Sequence, residues 1–431
     1  MKIRDNFISS YFRKRKINLW MLFFLLVYIV LVIKLITIQK IDNNILFGTY
    51  SILVSAYILS RFGLAYFYEH EESSFDKNYE PTISFAVPSK NEGENIRETI
   101  LRIAKTDYPK NKFDIIAIND GSTDNTLAEM LMAKRIAAKN GINVMVVDWE
   151  KNKGKREGMA ECIRKSKKDI LIFIDSDSFV EKDTARELVK YFIDDRIAAV
   201  AGHAYVANAE KNMLTKMQAV RYYVAFKAYK SAEALFGTVT CCSGCCSAYR
   251  RKYLLEVLEP WLKQSFLGVI CTYGDDRSLT NFLLKKKYKA LFAHEATAKT
   301  FVPETFRGFM KQQLRWKKSW IRESLKASQF MWKKNPIMSI SFYIGFILPL
   351  LAPIIVFRAL LWYPYVTSKL PFFYLFGLAL MAVIYGLYYY IFTSDKKWIY
   401  GVVFATFYTL VLIWQLPWAI LNLRDPQWGT R

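Results

Sequence analysis

The sequence predicts an α/β domain with a parallel sheet, inserted between membrane-spanning helices and followed by an amphipathic segment. Apolar runs long enough to cross a bilayer, which takes about 20 residues, lie near both ends of the chain. Between them, apolar strand-like runs alternate with helix-like segments, a pattern typical of a parallel sheet. Three polar motifs follow strand-like runs, at the edge where such sheets bind ligands.

Composition and charge favour a membrane protein that handles anionic molecules. Of the 431 residues, 53% are hydrophobic and 16% are aromatic, and the excess lies at the two ends. The net charge of +23 arises from 61 Lys and Arg against 38 Asp and Glu. Anionic lipid is the expected partner rather than nucleic acid, because the apolar ends place the chain at a membrane.

Residues 1–72 are predicted to form two transmembrane helices, over the runs 17–38 and 45–68. The linker 39–44 carries only Lys40, whereas basic residues cluster before the first run at Lys2, Arg4, Arg13, Lys14, Arg15 and Lys16. Since basic flanks stay in the cytoplasm, we expect the chain to begin there and to return there after two crossings. A cleaved signal peptide is not expected, because the first run is too long.

Residues 73–304 are predicted to form a cytosolic α/β domain. Its strand-like runs and clearest helix-like segments are Ile83–Val87, Asp114–Asn119, Asn143–Val147, Ile170–Ile174, Asn95–Lys105 and Thr126–Lys139. The polar motifs at three of the strand ends are Pro88-Ser89-Lys90-Asn91-Glu92, Asn119-Asp120-Gly121-Ser122 and Asp175-Ser176-Asp177. Because parallel strands end at one edge of a sheet, these motifs are expected to share a ligand site.

Membrane segments return after this domain. Residues 305–335 interleave aromatic and basic side chains, as helices in the interface plane do. Residues 336–395 are predicted to form two further spans, over 337–362 and 372–393.

The last part of the chain, residues 396–431, contains an apolar run over 398–421 that is interrupted by Pro417. We expect this run to bend at the proline and to return, which leaves the tail in the cytosol. A full crossing is the alternative and would leave the tail outside. Backbone groups freed at a bend must face protein or a water-filled cavity.

Two motifs suit a nucleoside diphosphate. Asp120 follows a strand-like run, where its carboxylate can accept hydrogen bonds from a nucleobase or ribose; a helix cap or turn is the alternative. Lys155 and Arg156 lie on a glycine-containing loop and could bind phosphate, with a solvated run of charge as the alternative.

A third motif predicts a metal site. Asp175 and Asp177 are two residues apart after an apolar strand, and such residues on an extended chain point the same way. Two carboxylates together favour Mg²⁺ or Mn²⁺, with water and phosphate oxygens completing the shell. The metal would neutralise a leaving diphosphate while a glycosidic carbon is attacked.

An adjacent carboxylate pair predicts a general base. One of Asp275 and Asp276 can act as the base while the other is structural, and Arg277 would keep a carboxylate ionised at neutral pH.

A downstream motif predicts a sugar and diphosphate site. Gln312, Arg315 and Trp316 have the i, i+3, i+4 spacing of one helical face. The guanidinium can bind a diphosphate through two hydrogen bonds and the indole can stack on a sugar. For the Arg–Trp pair alone, a membrane-interface anchor is the alternative.

The cysteine-rich loop between Cys241 and Cys246 raises the question of a metal site, since thiolates bind zinc. No second Cys-x-x-Cys pair follows, and the chain has only three histidines. We therefore expect reduced, small apolar side chains in a tight cytosolic loop.

Together the motifs resemble the processive membrane glycosyltransferases of family 2, and among these the hyaluronan synthases. The resemblance runs from about residue 80 to residue 431, with chitin and nodulation-type chitooligosaccharide synthases as near relatives. The motifs that carry it are Pro88-Ser89-Lys90-Asn91-Glu92, Asp120-Gly121-Ser122, Gly154-Lys155-Arg156, Asp175-Ser176-Asp177, Gly274-Asp275-Asp276-Arg277, Gln312-x-x-Arg315-Trp316 and Trp428-Gly429-Thr430-Arg431.

The resemblance implies a GT-A, Rossmann-like catalytic domain that uses UDP-sugars with Mg²⁺ or Mn²⁺. It implies that Asp276 is the base for inverting attack, with Asp275 and Arg277 beside it, and that Asp175 and Asp177 serve sugar and metal. The substrate contacts that follow are Asp120, Lys155, Arg156, Asp175, Cys241, Gln312, Arg315, Trp316, Trp428 and Arg431, of which the two tail residues would close over the nucleotide.

The family also implies the partners. These are UDP-GlcNAc, UDP-glucuronate, the growing glycan and membrane lipid, without nucleic acid or an obligatory protein partner. A multi-pass plasma-membrane enzyme with a cytoplasmic catalytic domain, exporting its polymer through its own channel, is expected. Synthesis from UDP-GlcNAc alone is the alternative: the loop Cys242-Ser243-Gly244-Cys245-Cys246 favours it, whereas Phe266-Leu267-Gly268 and the Trp428-Gly429-Thr430-Arg431 tail favour hyaluronan.

Overall fold

The computed structural model describes residues 21–32, 34, 45–72 and 79–425. The predictions that fall on other residues, among them the basic N-terminal cluster and the tail residues Trp428 and Arg431, lie outside this part of the chain.

Most strands of the described chain belong to one eight-stranded sheet, with the spatial order β3-β2-β1-β4-β7-β6-β10-β5, while β8 and β9 pair with each other. The strands are β1 (Ile83–Ser89), β2 (Phe113–Asp120), β3 (Val144–Trp149), β4 (Ile170–Phe173), β5 (Ser178–Val180), β6 (Ile197–Val206), β7 (Ser247–Arg250), β8 (Ser265–Phe266), β9 (Val269–Ile270) and β10 (Lys289–Thr300).

Helices connect and flank these strands. The helices before and within the sheet region are α1 (Met21–Val32), α2 (Ile45–Glu72), α3 (Ile96–Ala104), α4 (Thr126–Lys139), α5 (Lys155–Lys165), α6 (Thr184–Val189), α7 (Met213–Val224), α8 (Ser231–Ala234), α9 (Arg251–Leu262) and α10 (Asp275–Lys285). Those that follow are α11 (Phe306–Met331), α12 (Pro336–Phe357), α13 (Tyr363–Thr367), α14 (Phe372–Thr393), α15 (Trp398–Leu410) and α16 (Gln415–Leu421).

The predicted parallel sheet is only half of the observed one. Strands β3, β2, β1 and β4 pair in parallel, and all four were predicted from apolar runs. In the other half, β7 is antiparallel to both β4 and β6, and β5 is antiparallel to β10, so the sheet is mixed. Strands β6 and β10 also pair in parallel. The antiparallel strands β5 and β7, of three and four residues, were not predicted because they are too short to give a periodic signal.

The register of the parallel strands positions the site. Ile83 of β1 lies opposite Phe113 of β2 and Ile170 of β4, so these three strands end at the same edge. Asp120 is the last residue of β2, and Asp175 follows β4 by two residues. Two of the polar strand-end motifs therefore meet at one edge of the sheet, as expected for ligand sites in open α/β sheets.

Burial follows the sequence pattern. Every residue of β1 is buried, as expected of a central strand covered on both faces. Ile96, Ile100 and Ile103 recur at helical spacing in α3 and are fully buried against the sheet.

Three of the helices in the described chain are long and apolar enough to cross a membrane. Their apolar stretches are Phe47–Tyr68, Pro336–Thr367 and Phe372–Thr393, which coincide with three predicted spans. The second continues from α12 through a π-helical turn, Arg358–Trp362, into α13. The described part of the first predicted span contains the shorter apolar helix α1.

The last apolar run is broken before the proline rather than at it. The axes of α15 and α16 differ by 40°, and the break lies at Val411, six residues before Pro417. A proline ring clashes with the carbonyl four residues earlier and provides no N–H, which prevents a regular helix across this stretch. The carbonyl of Leu412, next to the break, accepts hydrogen bonds from the N–H of Gln415 and from Lys317 Nζ at 2.5 Å, so it faces protein.

Both ends of this broken run contact the α/β domain and α11. Lys397, just before α15, forms an ion pair of 2.6 Å with Glu210. Asp425, beyond α16, forms an ion pair of 2.9 Å with Lys318, and its carbonyl accepts a hydrogen bond from Tyr273.

Candidate active site

A cavity of about 1540 Å³ extends from the carboxyl ends of β2 and β4 to the apolar helices α2, α12 and α14. It brings together motif residues that are far apart in the sequence. Among the residues in its wall are Asp120, Lys155, Asp175, Asp177, Cys241, Asp275, Asp276, Arg277, Gln312, Arg315 and Trp316.

Asp120 supports the loop that carries Lys155. Its carboxylate is buried and accepts hydrogen bonds from the backbone N–H groups of Lys153 (2.6 Å) and Gly154 (2.9 Å). Gly154 has a φ of 94°, which favours glycine. Since a carboxylate has about four lone-pair sites, the side chain retains the capacity to accept hydrogen bonds from a nucleotide in the cavity.

Lys155 lies between two carboxylates. Its ammonium group donates a hydrogen bond to Asp175 Oδ1 at 2.5 Å. Burial lowers the pKa of Lys155, but the charges of Asp175 and Asp276 outweigh this effect and raise the pKa overall. The side chain is therefore a fixed cation within the cavity, suited to a phosphate.

Asp276 lies in the first turn of α10 and faces the cysteine-rich loop. Its Oδ2 accepts a hydrogen bond from the N–H of Gly244 at 2.9 Å. A Cβ at Gly244 would lie 2.9 Å from Asp175 Oδ1, 3.0 Å from Asp276 Oδ1 and 3.1 Å from Lys155 Nζ. Two carboxylates, one ammonium group and one backbone N–H thus converge at this point.

The surroundings of Asp276 raise its pKa. Burial contributes most, Lys155 opposes the change, and the charges of Asp175 and Asp275 add to it. A carboxylate with a raised pKa is a better general base than an ordinary one.

The carboxylate of Asp275 is held by Arg156. The Arg156 guanidinium donates to Asp275 Oδ1 at 2.8 Å and to the carbonyl of Trp261 at 3.1 Å. Arg156 is 7% exposed and does not line the cavity, whereas the neighbouring Lys155 does. Arg156 thus stabilises the carboxylate next to Asp276 in this structure, and its contact with substrate stays a prediction.

Arg277 and Cys241 lie in the cavity wall. Arg277 Nη1 donates to Thr240 Oγ1 at 3.2 Å. The carbonyl of Cys241 accepts a hydrogen bond from Lys230 at 2.9 Å, and burial raises the pKa of the Cys241 thiol. All six cysteines are free, and the described residues contain no group of three or more His, Cys, Asp and Glu that could hold a metal ion.

One face of α11 provides the far side of the site. Gln312, Arg315 and Trp316 all line the cavity. The pKa of Arg315 is lowered overall, because burial outweighs the opposing effect of the carboxylates of Asp276 and Asp175. That opposing effect shows that the guanidinium lies near these carboxylates. The centre of the Trp316 ring lies 6.1 Å from the centre of the Tyr222 ring.

Asp175 and Asp177 are the residues suited to a divalent cation. Both line the cavity at the turn after β4. Because only these two carboxylates belong to that turn, substrate phosphates and water would have to complete the shell, as is common for Mg²⁺.

Three residues of the site carry no motif signal in the sequence. Gly244 donates to Asp276, and the only indication was its place in a tight cysteine-rich loop. Arg221 of α7 places its guanidinium 5.1 Å from the centre of the Trp316 ring. Lys230 donates to Cys241 and to Ser243 Oγ. Arg221 and Lys230 lie on helices with ordinary composition and could not have been singled out.

Comparison with known proteins agrees with this geometry, which is that of a transferase acting on nucleotide-linked sugars at a membrane. The family model described as glycosyl transferase family 2 matches residues 84–258, and the model described as chitin synthase matches residues 262–431.

Relatives extend the match across most of the chain. Hyaluronan synthase of Streptococcus pyogenes is 33% identical over 314 residues, which cover 71% of this chain and 73% of the relative. An N-acetylglucosaminyltransferase of Azorhizobium caulinodans is 29% identical over 357 residues, which cover 81% of this chain and 87% of that protein. The chain therefore belongs to glycosyl transferase family 2, among its processive membrane enzymes.

A solved structure supports the fold. The mannosyltransferase PcManGT from Pyrobaculum calidifontis, in complex with GDP-Man and Mn²⁺, superimposes with a TM-score of 0.56 at 20% identity and covers 84% of this chain and 99% of that one. The α/β domain thus has the GT-A, Rossmann-like fold.

Proposed function

We propose that this protein is a polysaccharide synthase of the hyaluronan type, which transfers GlcNAc and glucuronate from UDP-sugars to a growing β-glycan with inversion. The observation that carries the proposal is the cavity, which is continuous from Asp276, Arg315 and Trp316 to the apolar helices. An enzyme that releases a small product needs no such extension.

Each side chain of the site has a role in this proposal. Asp276 accepts the proton of the acceptor hydroxyl as this oxygen attacks the anomeric carbon, and the UDP leaves from the opposite face. Lys155 and Arg315 stabilise the charge that develops on the diphosphate, which is the largest electrostatic demand of the step. Trp316 holds the acceptor sugar by stacking.

The acidic turn completes the donor site. Asp175 and Asp177 would hold Mg²⁺ or Mn²⁺, which supplies a Lewis acid for the leaving diphosphate when bound. Lys155, which donates to Asp175, lies where its ammonium group could contact the donor phosphates.

The proposal includes the membrane arrangement. The catalytic domain faces the cytoplasm of a multi-pass plasma-membrane protein, where UDP-sugars are available, and the polymer leaves between α2, α12 and α14. Asp425 lies beside Tyr273, next to the base motif. From the family resemblance, the tail residues Trp428 and Arg431 would close over the nucleotide.

A second candidate is a chitin or chitooligosaccharide synthase that uses UDP-GlcNAc alone. Two observations favour it: the chitin synthase match over residues 262–431 and the N-acetylglucosaminyltransferase relative.

Product composition tests the two candidates. The full chain, purified and reconstituted in lipid vesicles without other proteins, is supplied with UDP-GlcNAc, with UDP-glucuronate and with both. We expect polymer only with both donors, and its complete digestion by a hyaluronan-specific lyase. Polymer from UDP-GlcNAc alone would establish the second candidate, and a lipid-linked monosaccharide would exclude both.

A further inference from the structure

Two ion pairs are buried between α5, α10 and α11. Arg156 is 2.8 Å from Asp275, and Arg322 is 2.9 Å from Glu323. Glu323 is 0% exposed and Arg322 is 3% exposed. Two cations and two anions thus share one dry region, where a charge without its partner is strongly destabilising.

Gln264 joins the two pairs. Its Oε1 accepts hydrogen bonds from Arg156 Nη1 at 3.3 Å and from Ser278 Oγ at 2.6 Å. Its Nε2 donates to both carboxylate oxygens of Glu323, at 3.2 and 3.3 Å. The side-chain amide therefore continues the network from one ion pair to the other.

The network contacts α10 once in every turn. Asp275 accepts a hydrogen bond from Arg156, and Ser278 donates one to Gln264. One turn further along, Asn281 Nδ2 donates to the main-chain carbonyl of Glu323 at 3.0 Å. Residues at this spacing lie on one side of a helix. This side of α10 is therefore fixed along its length.

The start of α10 is also fixed from α11. Arg322 donates a hydrogen bond to the carbonyl of Tyr273, the residue before Gly274. Gly274 has a φ of 77°, and a Cβ there would lie 2.0 Å from Ser319 Oγ, so the backbone of the loop packs against side chains of α11. The two helices cannot shift past each other without breaking these contacts.

These contacts relate the two halves of the site. Asp276 lies beside Asp275 on α10, and Glu323 lies seven residues after Trp316, about two turns along α11. The network is neutral overall, and its fixed hydrogen-bond geometry specifies one alignment, whereas an apolar contact would permit several.

We propose that Glu323 is a positioning residue which, through Arg322, Gln264 and Arg156, holds the base Asp276 in register with the sugar-stacking face of α11. No group of this network is proposed to touch substrate. The inference rests on the proposed function only in taking Asp276 as the base and Trp316 as the acceptor platform.

Two variants of the full-length protein test it in vesicles, with UDP release and polymer length as readouts. Glu323→Gln removes one charge with little change of shape. Gln264→Leu separates the ion pairs without removing a charge. For both we expect kcat per folded molecule to fall about ten- to hundredfold, since small misplacement of reacting groups has effects of this size. The KM for each UDP-sugar should change by less than about threefold, and the polymers should be shorter.

Glu187→Gln is the matched control. Glu187 pairs with the buried Lys190 at 2.6 Å, on α6 and the turn after it, outside the cavity wall. It should lower the melting temperature as Glu323→Gln does while kcat per folded molecule stays at the wild-type value.

The outcomes separate the two proposals. If the wild type releases no UDP from either donor, the proposed function fails. If the wild type makes polymer while Glu323→Gln and Gln264→Leu keep its kcat, or raise only the KM, the positioning role is overturned and the function stands. Loss of the fold in both variants, with Glu187→Gln intact, would also overturn it, because the network would then be structural.

Discussion

At the residue scale, two adjacent carboxylates have different surroundings, and the roles proposed for them differ accordingly. Asp275 forms an ion pair with the buried guanidinium of Arg156. Asp276 accepts a hydrogen bond from the N–H of Gly244 and lies within the electrostatic influence of Lys155. The pKa of Asp276 is raised mainly by burial, which suits this carboxylate to the role of general base in the proposed reaction.

Asp276→Asn should abolish polymer synthesis while leaving UDP binding intact. The amide has the same shape and can still accept the Gly244 hydrogen bond, but it cannot take a proton. We expect UDP release to fall at least about a hundredfold, within the range of general-base catalysis. Calorimetric titration with UDP provides the binding measurement, and retained synthesis would remove the base assignment.

Lys155→Met should move the acidic limb of the rate profile to higher pH. Asp276 must be ionised to act, so the rate falls as the pH drops through its pKa. Lys155 lowers that pKa, and its removal therefore raises it further. The residual kcat is measured as a function of pH.

Lys153→Met is the control for this shift. It removes the same charge, but the Lys153 ammonium lies over the Trp149 ring, 4.4 Å from its centre. An equal shift in both variants would indicate a general effect of net charge rather than a local one.

At the element scale, α11 joins three parts of the molecule. Gln312, Arg315 and Trp316 line the cavity. Lys317 donates a hydrogen bond to the carbonyl of Leu412 in the broken segment. Glu323 belongs to the hydrogen-bond network that contacts α10. An interface anchor would need none of these contacts with the catalytic domain.

Trp316→Ala should shorten the polymer more than it slows the first transfer. Stacking on an aromatic ring holds the acceptor between additions, and its loss favours release of the chain. Polymer length is measured by gel electrophoresis at equal UDP release. Trp332→Ala is the control, since Trp332 ends the same helix and is 63% exposed; unchanged length in Trp316→Ala would contradict the stacking role.

At the scale of the whole molecule, one cavity connects the site with the candidate membrane helices. Gly377 of α14 lines its apolar part, and a Cβ at this position meets no atom within 4 Å. A larger side chain can therefore enter the cavity without displacing the helix.

Gly377→Phe should block elongation but permit the early steps. The phenyl ring would fill space that the polymer needs, while the donor site is untouched. We expect short oligosaccharides and continued UDP release, measured in vesicles, with Gly377→Ala close to wild type. Full-length polymer from Gly377→Phe would show that the chain leaves by another path.

The fold was predictable where local pattern is strong. The strands β1 to β4 were predicted within a few residues, because each is a continuous apolar run that ends in a polar motif. The short strands β5 and β7 were not, since their pairing depends on contacts with β10, β4 and β6 that are distant in sequence. The bend of the last apolar run was expected at Pro417 but lies at Val411, next to the residue whose carbonyl contacts Lys317.

The sequence by itself determined which residue types carry the chemistry: carboxylates after strands, a cation on a glycine loop, and an amide, a guanidinium and an indole on one helical face. Their spacing is local, so it can be recognised without the fold. Only the tertiary structure decided which way each side chain turns. Lys155 and Arg156 are neighbours, yet successive residues of a helix point about 100° apart, so one enters the cavity and the other is buried against Asp275. That choice depends on the contacts of Arg156 with Asp275 of α10 and with Gln264, both more than a hundred residues away in sequence.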